Sequence, residues 1–113
     1  MKLREDGSGD PVEVADDRRT IYHAALAHGA NHLVTLVAQT MDLLTAAGVA
    51  DPERIARPLL TAALDNSLRE GDRALTGPVA RGDHATVRAH IDEMPDADVE
   101  HTYRALALAT VDR

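Results

Sequence analysis

Cysteine, phenylalanine and tryptophan are all absent from the 113 residues, and tyrosine occurs twice, at Tyr22 and Tyr103. Without cysteine there is no disulfide, no thiolate zinc site and no cysteine nucleophile, which fits a reducing cytoplasm. Without large aromatics the core has to be built from Ala, Leu, Val and Ile, although apolar residues still make up 44% of the chain. Such side chains let helices approach closely but bury little area each. Part of the apolar surface therefore calls for a second subunit, and a homodimer is expected. Positive charge is also scarce: 12 Lys and Arg stand against 19 Asp and Glu, a formal net charge of −7. That balance argues against duplex nucleic acid or an anionic membrane as the main partner. No apolar run approaches the roughly 20 residues that span a bilayer, and "MKLREDGSGD" has no signal-peptide core.

Familiar nucleotide and hydrolase motifs are missing too. A dinucleotide site normally needs a strand, a G-x-G-x-x-G turn and a helix whose start carries the pyrophosphate. "GSG" at Gly7 to Gly9 follows charged residues and precedes Asp-Pro. There is no phosphate-binding Walker loop and no serine elbow. The chain is expected to hold no cofactor by itself and to lack reductase activity alone.

What is present reads as helix. Residues 1–15 carry charge and a short strand-like "PVEV" without a visible partner strand, so they are expected to be a tail or the end of a preceding domain. Residues 16–113 form the helical domain. Asp16 or Asp17 can cap a first helix of about 30 residues that Gly48 ends. Its apolar face carries Tyr22, Leu26, Ala30, Leu33, Val34, Val37, Met41 and Leu44, with His28, Asn31, Thr35, Gln39 and Asp42 opposite. "DPER" starts a second helix with Asp51 as cap and Pro52 at the first helical position, running to about Glu70. Pro58 predicts a kink in it, and Ile55, Leu59, Ala62, Ala63 and Leu68 a buried stripe. Two more helices follow Asp83 and Asp96, the last presenting Val99, Tyr103, Leu106 and Thr110 at helical spacing. The fold class is thus all-α, with four main helices and a long first one.

Between the second and third of these lies "ALTGPVARGDHATV", Ala74 to Val87. Thr76 can cap a helical turn, Gly77 can take a positive φ, and Pro78 fixes the next φ. Gly82 can break that turn before Asp83 starts the next helix. Free N–H groups at two helix starts, with Arg81 beside them, suit an anion or a carbonyl. The plain alternative is a connector between helices.

Other polar residues have two readings each. His28 and His32, four apart, have the spacing of two metal-binding imidazoles. No third ligand is evident, so a polar stripe is the expected reading and no metal is expected. His23, at the edge of the apolar face, is either a hydrogen-bonded core histidine or a proton-transfer partner. Asn31 either holds a substrate carbonyl or meets water. Asn66 in "LDNSL" either ties helices together or reaches a cleft.

From about Gly9 onward, "IYHAALAHGANHL", "AALDNSL" and "LTGPVARGDHATVRAHI" resemble the C-terminal helical domain of unknown function found in proteins with a Rossmann-like NADP-binding half. These look like relatives of pyrroline-5-carboxylate reductase, ketopantoate reductase and the 6-phosphogluconate dehydrogenase C-terminal-like superfamily. The resemblance implies a domain that dimerises and closes one wall of a substrate cleft. It implies NADP for the parent protein, on a Rossmann-like domain missing from this chain, and a small-molecule substrate. Matching positions are Tyr22, His23, Asn31, Asn66, Thr76, Gly77, Pro78, Arg81, Gly82, Asp83, Thr86 and His90. Of these, Asn31, Asn66, Thr76, Gly77, Pro78 and Arg81 are expected to bind substrate, and His23 to exchange a proton. His28, Ala30 and His32 depart from the family pattern, which has an aromatic, a serine and an aromatic there. The competing expectation is a free-standing helical dimerisation or scaffold module without chemistry.

Overall fold

The computed structural model describes residues 2–4 and 11–113. Gly7 to Gly9 lie outside the described residues. The chain divides into two compact units, Met1–Ala38 and Gln39–Arg113.

In the first unit, strand β1 (Lys2–Arg4) pairs antiparallel with β2 (Pro11–Glu13), Leu3 opposite Val12. The strand-like "PVEV" therefore has a partner. Sequence reading missed it because β1 is three residues long and carries two charges, too short for an alternation to show. A strand, β1, thus precedes "GSG" in sequence, and the next described element after it is β2, not a helix.

A 3-10 turn (Asp16–Arg18) opens helix α1 (Arg19–Leu26). Asp16 and Asp17 lie inside the first turn, and Ala15 occupies the cap position without a side-chain bond. Their carboxylates act on the helix dipole instead of capping single N–H groups. A π turn (Ala27–Asn31) then interrupts α-helical geometry before α2 (His32–Ala46). Gly29 and Asn31, both poor α-helix formers, fall within it, where departure from the α pattern costs least. Gly48, at φ +91°, follows the end of α2.

In the second unit, α3 (Pro52–Glu70) begins at Asp51, whose side chain makes no capping bond. The Arg54 N–H donates to the Asp51 carbonyl at 3.2 Å. The helix continues as one element through Pro58. A 3-10 turn (Gly71–Ala74) leads to three packed helices, α4 (Gly77–Arg81), α5 (His84–Asp92) and α6 (Ala97–Val111). Asp96 caps α6 as expected, its carboxylate accepting the Val99 N–H at 3.0 Å.

Among the described residues only Ala56 and Val99 are buried. The stripe expected to be covered on α3 is open: Ile55, Leu59 and Leu68 are 52%, 64% and 78% exposed, and Ala62 and Ala63 are exposed as well. Spacing tells which side chains share a face, but not whether another body reaches that face. On the first long helix Tyr22, Val37, Met41 and Leu44 are half-buried, whereas Leu26, Ala30, Leu33 and Val34 are exposed. Gln39, assigned to the polar face, is half-buried; its Nε2 donates to Thr102 Oγ1 on α6 at 3.1 Å. No helix among the described residues is long and apolar enough to cross a membrane.

Candidate functional site

The turn from Thr76 to Asp83 holds its shape through two glycines. Gly77 has φ +91° and Gly82 +73°, conformations that a Cβ disfavours. Pro78 occupies the first turn of α4. At the far end the Gly82 N–H donates to the Val79 carbonyl at 3.1 Å and the Asp83 N–H to the Pro78 carbonyl at 2.8 Å. This paired closure satisfies the last carbonyls of α4 and sets where α5 begins. Thr76 stands at the start of α4 in extended conformation without a side-chain capping bond, contrary to the cap its sequence position suggests.

The start of α5 is not free for an external anion. The Asp83 carboxylate accepts the Thr86 N–H at 3.2 Å and the Thr86 hydroxyl at 2.7 Å. The Thr86 hydroxyl bond, then the Thr86 backbone bond, hold the Asp83 carboxyl below its ordinary range against desolvation, with weaker help from the nearby Arg81 and His84. Arg81 points its guanidinium largely into solvent, 63% exposed, with Nη2 4.0 Å from Asp83.

Beside this turn lies an open cleft of about 260 Å³. Pro78, Val79 and Gly82 form one wall, Val87 and Ile91 of α5 another, and Leu108 of α6 a third. Asp83, His84 and Arg104 supply the polar rim, Arg104 Nε also reaching Glu100 at 3.3 Å. A space just under the usual size of ligand sites, walled by aliphatic groups, suits a small apolar moiety with a charged end near the rim.

The residues expected at a substrate site are divided between the two units. Thr76, Gly77, Pro78 and Arg81 are neighbours in the turn, but only Pro78 of these lines the cleft. Asn66 is exposed on α3, where its Oδ1 accepts from Arg69 Nη2 at 2.7 Å. It neither ties helices together nor lines that cleft, because Arg69 lies three residues along the same helix and captures it. His23, on α1 in the first unit, is exposed, its ring 5.7 Å from that of Tyr22. Asn31 is exposed at the end of the π turn.

Sequence reading missed the α6 wall. Arg104, Leu108 and Val111 have helical spacing of their own, yet Val99, Tyr103, Leu106 and Thr110 offered a more apolar start. It also missed the bond between His90 Nδ1 and the Tyr103 hydroxyl at 2.8 Å, which links α5 to α6. Among the described residues there is no group of three or more His, Cys, Asp or Glu placed to hold a metal. His28 and His32 do meet: their Nδ1 atoms are 2.9 Å apart, with the rings edge to face.

The model of a family described as "Domain of unknown function (DUF2520)" matches residues 1–110. No curated protein and no solved structure matches the chain.

Proposed function

The chain belongs to the domain-of-unknown-function family DUF2520, and on that premise we propose that it is the substrate-binding and dimerisation domain of a cytoplasmic NADP-dependent oxidoreductase. The observation that carries this reading is the uncovered apolar surface. Ile55, Leu59, Leu68 and Leu108 are each more than half exposed, and large exposed apolar patches mark surfaces that meet another body. A second copy and a nucleotide-binding domain are the two bodies the reading supplies, and the resemblance to helical halves of reductases supports both.

The described residues do not fit NADP. Their two strands pair antiparallel, and neither leads through a glycine-rich turn into the start of a helix that could carry a pyrophosphate. In this reading the nucleotide is held by the other domain, while this chain contributes the wall facing the substrate. The aliphatic cleft beside Pro78 and Gly82 receives the apolar part of a small molecule. Arg81, next in sequence to Gly82 and with its guanidinium in solvent, meets an anionic group. Gly77 and Thr76 position that turn.

Two measurements on the chain test the proposal. Sedimentation equilibrium should give a dimer, and NADPH fluorescence should not change on titration with the chain alone. A chain that stays monomeric, or that binds NADPH saturably by itself, sinks the reading.

A further inference from the structure

The cleft beside α4 is lined along α6 by Arg104, Ala107, Leu108 and Val111. These residues stand at i, i+3, i+4 and i+7, so they share one face of the helix, a guanidinium first and three aliphatic groups after it. Along α5 the cleft residues His84, Val87 and Ile91 share a face in the same way. The bond between His90 and Tyr103 joins the end of α5 to the first half of α6, and only Glu93 to Asp96 separate the two helices. So short a connection makes neighbouring helices antiparallel. Arg104, next to Tyr103, therefore belongs to the end of the cleft near Ile91. His84, nearly two turns before His90, belongs to the opposite end, about 9 Å away along α5.

The two ends differ in what they leave free. At the His84 end the Asp83 carboxylate is already engaged by the Thr86 N–H and hydroxyl, with Arg81 4.0 Å away. At the other end Arg104 gives only its Nε–H, to Glu100 at 3.3 Å. That is longer than the roughly 2.7–2.9 Å usual for an ionised pair. Neither Nη group of Arg104 has a partner among the described residues. Exposed pairs one turn apart on a helix hold weakly, so an incoming anion can displace Glu100. Two open Nη groups present the fork that a carboxylate fills with parallel hydrogen bonds. A phosphate ester would bring nearly two negative charges up to Glu100, a carboxylate only one.

We propose that the cleft binds a short-chain aliphatic carboxylate, its carboxylate paired with Arg104 and its hydrocarbon lying against Val87, Ile91 and Leu108. The inference rests on the substrate-binding part of the reading above and gives that site a ligand class. Arg81 does not line the cleft and is left for a further anionic group of a larger substrate.

The test uses ligands that share one branched tail and differ in the head: isovalerate, isovaleramide, isopentylamine and isopentyl phosphate. Each is titrated into the isotope-labelled full chain and followed by the shifts of its backbone amides in NMR spectra. Isovalerate should saturate, move Val87, Ile91 and Leu108, and bind about tenfold or more tighter than the other heads, the difference expected from a charge-assisted hydrogen bond. Arg104→Gln should lose that preference with unchanged circular dichroism, whereas Arg57→Gln on α3 should keep it. Equal binding of all the heads, preference for the amine or the phosphate, selective binding retained by Arg104→Gln, loss on Arg81→Gln alone, or no saturable binding each overturns the proposal. Sedimentation and NADPH titration decide the wider reading separately. A dimer that ignores NADPH and does not bind isovalerate overturns only this inference, and a monomer that binds isovalerate through Arg104 overturns only the wider reading.

Discussion

At the scale of single residues, Asp83 and Gly82 do most to define the turn beside the cleft. Asp83 is an ordinary capping carboxylate in sequence, and the structure gives it a second bond, from the Thr86 hydroxyl. Because its carboxyl is held below the ordinary range, its contribution to stability is complete above the unfolded value of about 4. That contribution disappears as pH falls through the lower folded value. Asp83→Asn should therefore be less stable than the native chain at neutral pH, and the gap should close on acidification. Urea unfolding of both proteins at a series of pH values checks this. Gly82 adopts φ +73° with open space around the position of a Cβ. The cost of Gly82→Ala is then purely one of backbone conformation, about 1–2 kcal/mol, and thermal unfolding should show it without loss of helix content. These residues were legible from sequence: glycine and aspartate between two helical runs have few other uses. The absence of a bond from Thr76 was not legible, since a threonine there can rotate its hydroxyl to solvent without changing the backbone.

At the scale of elements, helix boundaries followed from local chemistry and helix interiors did not. α6 runs from Ala97 to Val111, as the cap at Asp96 and the apolar spacing indicate. α3 starts after Asp51 and stops before Gly71, both readable from Asp-Pro and Glu-Gly. The π turn at Ala27–Asn31 was not readable, because one extra residue in a turn shifts the register by a step that ordinary helical spacing absorbs. Pro58 sits in the interior of α3, where it removes one N–H donor and crowds the preceding turn. Pro58 is itself exposed, so little packing depends on the ring. Pro58→Ala should raise stability by roughly 1–3 kcal/mol, read as a higher midpoint in denaturant with an unchanged slope. A lower midpoint would mean that the proline sets a bend which something else requires.

At the scale of the whole molecule, the apolar surface decides how the chain behaves in solution. With two buried residues among those described, the folded state gains little from its own interior. Association should supply the rest. If the dimer proposed above forms, each tenfold rise in concentration stabilises the folded state by about 1.4 kcal/mol, so the thermal midpoint should climb with concentration. Replacing Leu59 and Leu68 together by aspartate should remove that dependence and leave a monomer in sedimentation, because each would place a charge on the face to be covered. Retention of the dimer would show that another surface carries it.

Composition, capping residues and turn chemistry determined by themselves that this chain is helical and where its main helices begin and end. These are local properties, set by which backbone conformations each residue and its near neighbours allow. Which apolar stripes are covered, that Lys2–Arg4 finds Pro11–Glu13, that Leu108 walls a cleft with Val87, and that Asn66 turns back onto its own helix were decided only in three dimensions. Each depends on whether a distant or competing group arrives first, and periodicity along one chain carries no record of that.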